Sequence, residues 1–316
     1  MPSAGPSKAK RILCVGMPVR DLVFRVRDLP PRGGKTRADH FEELAGGNAL
    51  NAAVGIARLG GEALFSGPMG DRADKPDKYI FDVLKREGID TSGIVHVDGI
   101  VTPISNIMID PSGERTIVTF RDPGLWQVKL PASETLLDGI DAVLTENRCA
   151  SFVTALCADA LRRNIPVVID ADQVMSQSEG LLAASSHMIF SAETLFAMAG
   201  TDNVEQALRK IARLTPSFVA VTLGAQGMAW LDRSGALQQA PSFPVHSVDT
   251  LGAGDVFHGA FALAMAEGAP IDQAMRFSAA AAALKCTRYG GAFAAPSRPE
   301  VDDLLRRNPA LGPARA

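Results

Sequence analysis

The feature that most constrains the fold is an alternation of short apolar runs with helical segments in the second half of the chain. Apolar residues recur at helical spacing between the runs, and each run is too short to be a helix itself. The runs lie at residues 142–145, 167–170, 188–191 and 218–222, and the helical segments at 151–164, 193–199 and 204–214. Apolar strands separated by helices are typical of a parallel sheet covered on both faces. The pattern therefore predicts an α/β fold with a mostly parallel central sheet flanked by helices.

A hairpin outside this alternation indicates a second, smaller sheet. Its β-prone arms, 104–109 and 116–120, flank a turn-forming sequence from Asp110 to Gly113. Together with residues near the N-terminus, this hairpin predicts a small β-sheet lid. The expected organisation is a single domain over residues 11–300 with lid segments at about 18–45 and 98–122, a disordered leader at 1–10, and a C-terminal helix and tail at 301–316.

Composition and charge exclude several classes of protein. The chain has 316 residues, and its 32 basic and 35 acidic residues form no basic stripe, so we expect no nucleic-acid partner. The four cysteines lie far apart, which favours reduced thiols over a zinc site or a disulfide framework. The apolar run at 12–19 is too short to cross a membrane and is unlike a signal peptide. These features predict a cytoplasmic protein with no membrane partner.

The densest chemical signal is the sequence Gly252-Ala253-Gly254-Asp255 at the start of a predicted helix. The first amides of a helix have no intrahelical partner, and glycine lets the backbone approach an anion closely. Such a turn suits the charge that develops on a transferring phosphoryl group. A carboxylate beside it meets a second need of phosphoryl transfer to an alcohol, because one group must take the hydroxyl proton. Taken alone, the motif also fits an ordinary capping Asp after a tight turn.

A second motif favours the chemical interpretation. Residues 46–60 read GGNALNAAVGIARLG and are followed by Gly70-Asp71, while residues 249–255 read DTLGAGD and precede an Ala-rich helix. With both motifs in this order, the sequence resembles the PfkB or ribokinase-like family of carbohydrate kinases over nearly its whole length. The resemblance implies a ribokinase-like fold and an ATP-dependent sugar kinase.

The resemblance also implies roles for individual residues. Asp255 is the catalytic base, and the amides of Gly252, Ala253 and Gly254 form the anion hole. The sugar hydroxyls are bound by Asp21, Gly46, Gly47 and Asn51. The nucleotide is bound by Thr222, Gly224 and Gly227 in the segment TLGAQG, together with Ser191, Glu193 and Gly254.

One departure from the family concerns magnesium. Family members commonly carry Asn-x-x-Glu after the strand that ends here at Ser191, whereas this chain has Ser191-Ala192-Glu193-Thr194. In the family these side chains act indirectly, by organising water around Mg²⁺. Because Glu193 is shifted by one position, either it reaches this water shell from a different turn or the shell is completed by other groups. Mg²⁺ itself is expected with ATP, and the resemblance allows a monovalent cation such as K⁺.

The substrate is the least constrained part of the prediction. Within the family the sequence is most similar to the sulfofructose kinases, which phosphorylate the primary hydroxyl of 6-deoxy-6-sulfofructose. The similarity rests on residues 33–35, 113–115, 254–260 and 283–288. Lys35 and Arg148 are expected to bind an anionic substituent of the sugar. Thr119 is a departure, since that subgroup is expected to offer an Asn to the substrate there.

Several alternatives stay open. A kinase for a neutral sugar such as ribose or fructose, or for a nucleoside, fits the same motifs. A non-catalytic sugar-sensing protein is a further alternative, against which the intact loop at 252–255 argues. A Rossmann dehydrogenase is excluded, because the sequence Val15-Gly16-Met17-Pro18 has a single glycine. The open face of the lid is a candidate homodimer surface.

Overall fold

The computed structural model describes residues 8–70, 75–176 and 180–309. The strands are β1 (Arg11–Val15), β2 (Val19–Arg25), β3 (His40–Gly46), β4 (Glu62–Met69), β5 (Asp90–His96), β6 (Ile104–Ile109), β7 (Arg115–Phe120), β8 (Ala142–Glu146), β9 (Val167–Ala171), β10 (His187–Ser191), β11 (Phe218–Thr222), β12 (Met228–Leu231) and β13 (Leu237–Ala240). The α-helices are α1 (Asn48–Arg58), α2 (Lys75–Arg86), α3 (Ser133–Leu136), α4 (Ala150–Arg162), α5 (Ala192–Ala199), α6 (Val204–Ile211), α7 (Ala253–Ala266), α8 (Ile271–Cys286) and α9 (Arg298–Arg307).

In the described part of the chain, nine strands form a large sheet in the order β13-β12-β11-β10-β9-β8-β1-β4-β5. Neighbouring strands from β11 to β5 are parallel, whereas β11–β12 and β12–β13 are antiparallel. Every residue of β8 and β9 is buried, as expected for strands covered on both faces. The mostly parallel sheet predicted from the alternation is confirmed.

Two hydrophobic cores lie on opposite faces of this sheet. Successive side chains of a strand point to opposite faces, so Ile12 packs with α1, α2, α7 and α8, while Leu13 packs with α4, α5 and α6. Phe261 on α7 and Phe190 on β10 are among the largest fully buried side chains of the two cores. Among these helices, α4 and α5 begin directly after the carboxyl ends of β8 and β10, whereas α8 runs back from α7 and ends beside the loop that precedes α7.

The remaining four strands form the lid sheet, in the order β3-β2-β6-β7. Asp21 lies opposite Ser105, and Ser105 lies opposite Thr119. Residues directly opposite each other in a sheet share a face, so these three polar side chains form one row. The predicted lid segments contain all four strands, except that β3 extends to Gly46.

Some elements differ from the sequence prediction. The sequence does not indicate β5, because its residues DTSGIVH mix polar residues and glycine with few apolar ones. α9 begins at Arg298, earlier than the predicted start at 301, because Ser297 and Glu300 form a capping box. The extent of the kinase domain, 11–300, stays a prediction.

Residues 8–10 of the predicted leader belong to the described part of the chain. The Lys10 ammonium lies 2.9 Å from a carboxylate oxygen of Asp141, so this residue belongs to the fold. Residues 1–7, Asp71 and the tail from 310 onward lie outside the described residues. None of the described helices combines the length and apolarity needed to cross a bilayer.

Candidate active site

The candidate active site lies at the carboxyl edge of the large sheet, where α1 and α7 begin. This is the edge at which open α/β sheets bind their ligands. α1 begins after Gly47, which has a φ of 101° and lies so close to Met17 that a Cβ would be 2.2 Å from its carbonyl oxygen. Glycine is therefore required at this turn. The turn sets the position of Asn48 and Asn51 at the start of α1.

The predicted anion hole is the turn that leads into α7. Gly252 is left-handed, with a φ of 77°, and a Cβ there would be 3.0 Å from the amide nitrogen of Ala292. Gly254 has open space over its Cα, so an anion has room to approach. The amide of Ala253 already donates to the carbonyl of Thr250 at 3.2 Å. Gly252 and Gly254 are therefore the better candidate donors, and the expected third amide is engaged elsewhere.

Asp255 lies in the first turn of α7, partly buried beside this turn. The Asn51 side-chain amide donates to its Oδ2 at 2.7 Å, which joins the two sequence motifs directly. Burial and the negative charge of Asp170 raise the pKa of Asp255 to about 7. A carboxylate with this pKa is suited to accept a proton near neutral pH.

His258 lies one turn further along α7 and is almost fully buried. Its Nδ1 is 2.7 Å from the Gly254 carbonyl oxygen, and its Nε2 is 3.2 Å from the Ile189 carbonyl oxygen and 3.5 Å from Asp170 Oδ1. Burial alone would lower the pKa of His258, but Asp170 and the two carbonyls outweigh it and raise the pKa. Both ring nitrogens face acceptors, so the arrangement fits an imidazolium.

Arg148 is not the free cation expected from the sequence. Its guanidinium lies 2.8 Å from a carboxylate oxygen of Glu146 and also contacts the carboxylate of Asp172. The Asn48 side-chain amide donates to Asp170 Oδ2 at 2.9 Å and to Asp172 Oδ2 at 3.0 Å, extending the network towards α7. Arg148 therefore lies at the centre of an ionic network, and the carboxylates of Glu146 and Asp172 balance its charge.

Glu146 is the last residue of β8, at the carboxyl edge of the large sheet. It is only 2% exposed, and its Oε1 accepts the amide of Met17 at 3.1 Å. Burial raises the pKa of Glu146 to about 7, against the lowering effect of Arg148. Asp172, two residues after Asp170, keeps a buried Oδ1 that lacks a hydrogen-bond partner within the described residues.

Asp21 lies on the lid with its carboxylate against Gly46. A Cβ at Gly46 would be 2.0 Å from Asp21 Oδ2, so glycine is needed here. Burial raises the pKa of Asp21 to about 7, although a hydrogen bond from Ser105 and the charge of Arg121 lower it. The Ser105 and Thr119 hydroxyls are 3.3 Å apart, so Thr119 belongs to the same polar row as Asp21.

Arg121 is a cation that the sequence analysis overlooked. It directly follows β7 and interacts electrostatically with Asp21, Arg148, Glu146 and Asp172. Burial and the like charge of Arg148 lower the pKa of Arg121. Its Nε is buried without a hydrogen-bond partner, counted over residues 8–70, 75–176 and 180–309. The Nε of Arg148 also lacks a hydrogen-bond partner, but the Arg148 guanidinium forms ion pairs with Glu146 and Asp172, whereas Arg121 forms none with the described residues. Arg121 is therefore the cation of this cluster that is not held in an ion pair.

Lys35 and Glu193 are both exposed. Lys35 belongs to the connection from β2 to β3, which leaves the lid at the Arg25–His40 pair, the end opposite Gly46. The strand register therefore does not bring Lys35 to Asp21. Glu193 lies in the first turn of α5, where the Ser191 hydroxyl accepts the amide of Thr194 at 3.2 Å and caps the helix.

The candidate nucleotide segment lies at the adjacent ends of β10 and β11. Ser191 and Thr222 are paired in register. Gly224 has a φ of 58° with open space over its Cα, whereas a Cβ at Gly227 would be 2.1 Å from the carbonyl oxygen of Ala240. Gly224 and Gly254 each leave an open backbone surface that a phosphate group could approach.

The acidic side chains do not form a ready metal site. Over the described residues, no group of three or more His, Cys, Asp or Glu side chains is placed to hold an ion.

Sequence reasoning missed Glu146, Arg121, Asp170, Asp172, Asn48 and His258. Glu146 and Asp170 end apolar strands on the carboxyl edge, a position that could have identified them as candidates. Asn48 lies within the first motif, and His258 lies in α7, the helix that begins in the second motif. The sequence around Arg121 gives no signal of its role. Arg121 lacks an ion pair because Glu146 and Asp172 pair with Arg148, and these pairings depend on the tertiary structure.

Comparisons with known proteins bear on the family and the fold of the chain. The model of the pfkB family carbohydrate kinases matches residues 9–298. The ribokinase of Bacillus subtilis (strain 168) is 28% identical over 300 residues, covering 94% of this chain and 99% of the relative. A crystal structure from Agrobacterium tumefaciens, provisionally assigned as a ribokinase, has a TM-score of 0.89 at 37% identity, covering 95% of this chain and 98% of that one.

The ribokinase of Arabidopsis thaliana, solved with ribose and ATP, has a TM-score of 0.84 at 26% identity, covering 94% of this chain and 99% of that one. The family model spans the lid, both motifs and the nucleotide segment. The chain is a sugar kinase with the ribokinase-like fold, and it belongs to the PfkB family of carbohydrate kinases.

Proposed function

We propose that this kinase transfers the γ-phosphate of ATP to a primary hydroxyl of a ketose, with Asp255 as the general base. The observation that carries the proposal is the position of the Asp255 carboxylate in the first turn of α7, beside Gly252 and Gly254 and hydrogen-bonded to Asn51. Its pKa of about 7 lets a substantial fraction be ionised at neutral pH. The Arabidopsis ribokinase structure contains ribose and ATP, which supports the same pair of substrate types here.

In the proposed reaction, an ionised Asp255 oxygen accepts the proton of the substrate hydroxyl as that oxygen bonds to the γ-phosphorus. The bond between the γ-phosphorus and the bridging oxygen of ADP breaks, so one proton moves to Asp255 and one phosphoryl group moves to the sugar. The Gly252 and Gly254 amides stabilise the charge on the phosphoryl oxygens. Mg²⁺, carried with ATP, supplies further charge neutralisation, and Ser191, Glu193, Thr222, Gly224 and Gly227 would hold the nucleotide.

We further infer that the ketose carries an anionic group, as 6-deoxy-6-sulfofructose does. The support is Arg121, whose Nε is buried and without a partner in the described chain, next to Asp21 on the lid. Guanidinium groups bind sulfonate, phosphate and carboxylate with two parallel hydrogen bonds. An anion here would also relieve the repulsion between Arg121 and Arg148.

A neutral sugar is the second candidate, and a different observation favours it. Arg148 is neutralised by Glu146 and Asp172, and the raised pKa values of Asp21 and Glu146 make these groups suited to hydroxyl binding. A carboxyl group that is protonated part of the time can donate a hydrogen bond to a sugar hydroxyl as well as accept one.

The test is ADP release with 6-deoxy-6-sulfofructose, fructose 6-phosphate, fructose, ribose and a nucleoside in parallel. We expect the highest kcat/KM with an anionic ketose. A preference for ribose or fructose would move the assignment to a neutral-sugar kinase, and no ADP release with any sugar would favour a non-catalytic sensor.

Replacing Arg121 by Met should raise KM for the anionic ketose about 10- to 100-fold, the worth of a hydrogen bond to a charged group. The KM for a neutral sugar should change little in the same variant.

A further inference from the structure

Lys285 is a fully buried cation that the proposed reaction does not use. It lies in the last turn of α8, and its side chain is 0% exposed. Lysine is rarely buried without a counter-ion, because removing its charge from water is costly. Its position therefore calls for an explanation beyond packing.

The hydrogen bond and the ion pair of the Lys285 ammonium both lead to one residue of the loop that precedes the anion hole. The Lys285 ammonium donates to the Asp249 carbonyl oxygen at 2.7 Å and lies 3.2 Å from Asp249 Oδ2. Asp249 opens the segment DTLGAGD, three residues before Gly252. A single ammonium thus contacts both the backbone and the side chain of Asp249.

Asp249 in turn joins two loops. Its Oδ1 accepts the amide of Leu251 at 2.9 Å, and its Oδ2 accepts the amides of Gly290 and Gly291, each at 3.2 Å. The close approach of Gly252 to Ala292 belongs to the same contact between these loops. The carboxylate therefore sets the distance between the loop that carries the anion hole and the loop after α8, and its charge must be balanced for it to do so.

We propose that Lys285 is a positioning residue whose ammonium serves as the built-in counter-ion of the anion-hole loop, so that the kinase needs no bound monovalent cation. An ammonium and K⁺ carry the same charge and are similar in size, and each can be coordinated by carboxylate and carbonyl oxygens. Here the covalent ammonium takes the place beside Asp249 in which a free ion would otherwise balance the charge. The inference rests on the proposed role of Gly252 and Gly254 as amide donors.

The first test uses the unaltered protein. Its kcat and thermal unfolding temperature are measured in the chlorides of K⁺, NH₄⁺, Na⁺ and tetramethylammonium at equal ionic strength, with nucleotides supplied as Tris salts. The expected result is the same kcat, within about twofold, and the same unfolding temperature in all four salts. Activation by K⁺ over tetramethylammonium by about fivefold or more, or a rise in unfolding temperature specific to K⁺, would overturn the proposal.

The second test removes the ammonium. Lys285→Met should lower kcat roughly 10- to 100-fold, as expected when electrostatic preorganisation of the phosphoryl site is lost, while the sugar KM stays within about threefold. Lys210→Met is the matched control. Lys210 lies on α6 and its ammonium donates to the carbonyl oxygen of Ala199 on α5 at 2.9 Å, so this substitution also removes a hydrogen-bonded ammonium but should leave kcat unchanged. A wild-type kcat in Lys285→Met would assign the lysine to packing alone.

The third test asks whether a free ion replaces the lost charge. In Lys285→Ala, K⁺ or NH₄⁺ should restore part of kcat and raise the unfolding temperature, whereas tetramethylammonium, which is too large, should not. Equal loss in all four salts would overturn the counter-ion role. If both variants fail to fold, the salt comparison on the unaltered protein still decides the question. Failure of the proposed function is distinct, since it appears as no ADP release in any salt.

Discussion

Asp255 has three properties that a base for phosphoryl transfer needs. It stands beside Gly252 and Gly254, it is held by the Asn51 amide at 2.7 Å, and burial and Asp170 raise its pKa to about 7. A capping aspartate would instead be expected to turn its carboxylate back to the amides of its own helix. The bond to Asn51, 204 residues away in the sequence, favours the chemical role.

Asp255→Asn is expected to lower kcat by about 100- to 10,000-fold, the usual contribution of a positioned general base. The amide keeps the shape and the contact with α1 but accepts no proton. ATP affinity should stay nearly unchanged, because the nucleotide segment at the ends of β10 and β11 is untouched. Steady-state kinetics and calorimetric ATP titration measure the two quantities. A kcat within a few fold of the unaltered enzyme would return Asp255 to a structural role.

The pH dependence should identify the titrating group. Because Asp255 acts when ionised, kcat/KM should rise with pH with a midpoint near 7 and then level off at higher pH. Asp21 and Glu146 also have pKa values raised to about 7, so the profile of the unaltered enzyme alone does not show which carboxyl group causes the rise. The Asn51 hydrogen bond lowers the pKa of Asp255, so Asn51→Ala should move the limb to higher pH.

The matched control is Asn106→Ala, which removes an exposed Asn from the lid face opposite Asp21 and should leave the midpoint in place. Profiles of kcat/KM from pH 5 to 9 measure the effect. A midpoint that does not move in Asn51→Ala would show that another carboxyl group limits the reaction.

At the scale of elements, the sequence predicts what depends on local pattern. The parallel strands follow from short apolar runs, and the turn into α7 follows from Gly252-Ala253-Gly254, since both signals lie within a few residues. The ion pairs of Arg148 are different, because Asp172 is 24 residues away and reaches it only through the neighbouring positions of β8 and β9. Arg121 and Lys285 are distinguished by burial and by their partners, which the sequence pattern does not reveal.

The turn into α7 predicts a backbone-specific effect. Gly252→Ala should lower kcat by more than about tenfold, because an alanine at a φ of 77° is strained and its Cβ would lie 3.0 Å from the Ala292 amide nitrogen. Displacement of the turn moves the amide donors away from the phosphoryl oxygens. The sugar KM should change less than kcat, and steady-state kinetics test this split.

Gly268→Ala is the matched control at the other end of the same helix. Gly268 has the same φ of 77°, and a Cβ there meets nothing within 4 Å. Both variants should lose about 1 kcal/mol of unfolding free energy from left-handed strain, as measured by urea denaturation. Only Gly252→Ala should lose kcat, and equal kcat values in the two variants would contradict the role of the turn.

At the scale of the whole molecule, the lid presents two different faces. The face that carries Asp21 also carries Val23, which is 1% exposed and packs inward. The opposite face carries Phe24 and Phe41, whose rings lie 5.0 Å apart, and continues across β7 with Val118 and Phe120. Phe41, Val118 and Phe120 are 51%, 65% and 52% exposed, so this outer lid face carries several exposed apolar side chains.

We expect the outer lid face to pair with the same face of a second copy, forming a two-fold homodimer, because an exposed apolar patch on a sheet marks an interaction surface. Val118→Glu places a charge beside the exposed Phe120 on β7 and should weaken the dimer by about 30-fold or more, the worth of an interface hot spot. Val174→Glu is the matched control, since Val174 is also 65% exposed but lies outside the lid. Sedimentation velocity across micromolar concentrations should give a dimer for the unaltered chain and for Val174→Glu, and a monomer for Val118→Glu. A monomeric unaltered chain, or a dimer that survives Val118→Glu, would place the self-interface elsewhere or remove it.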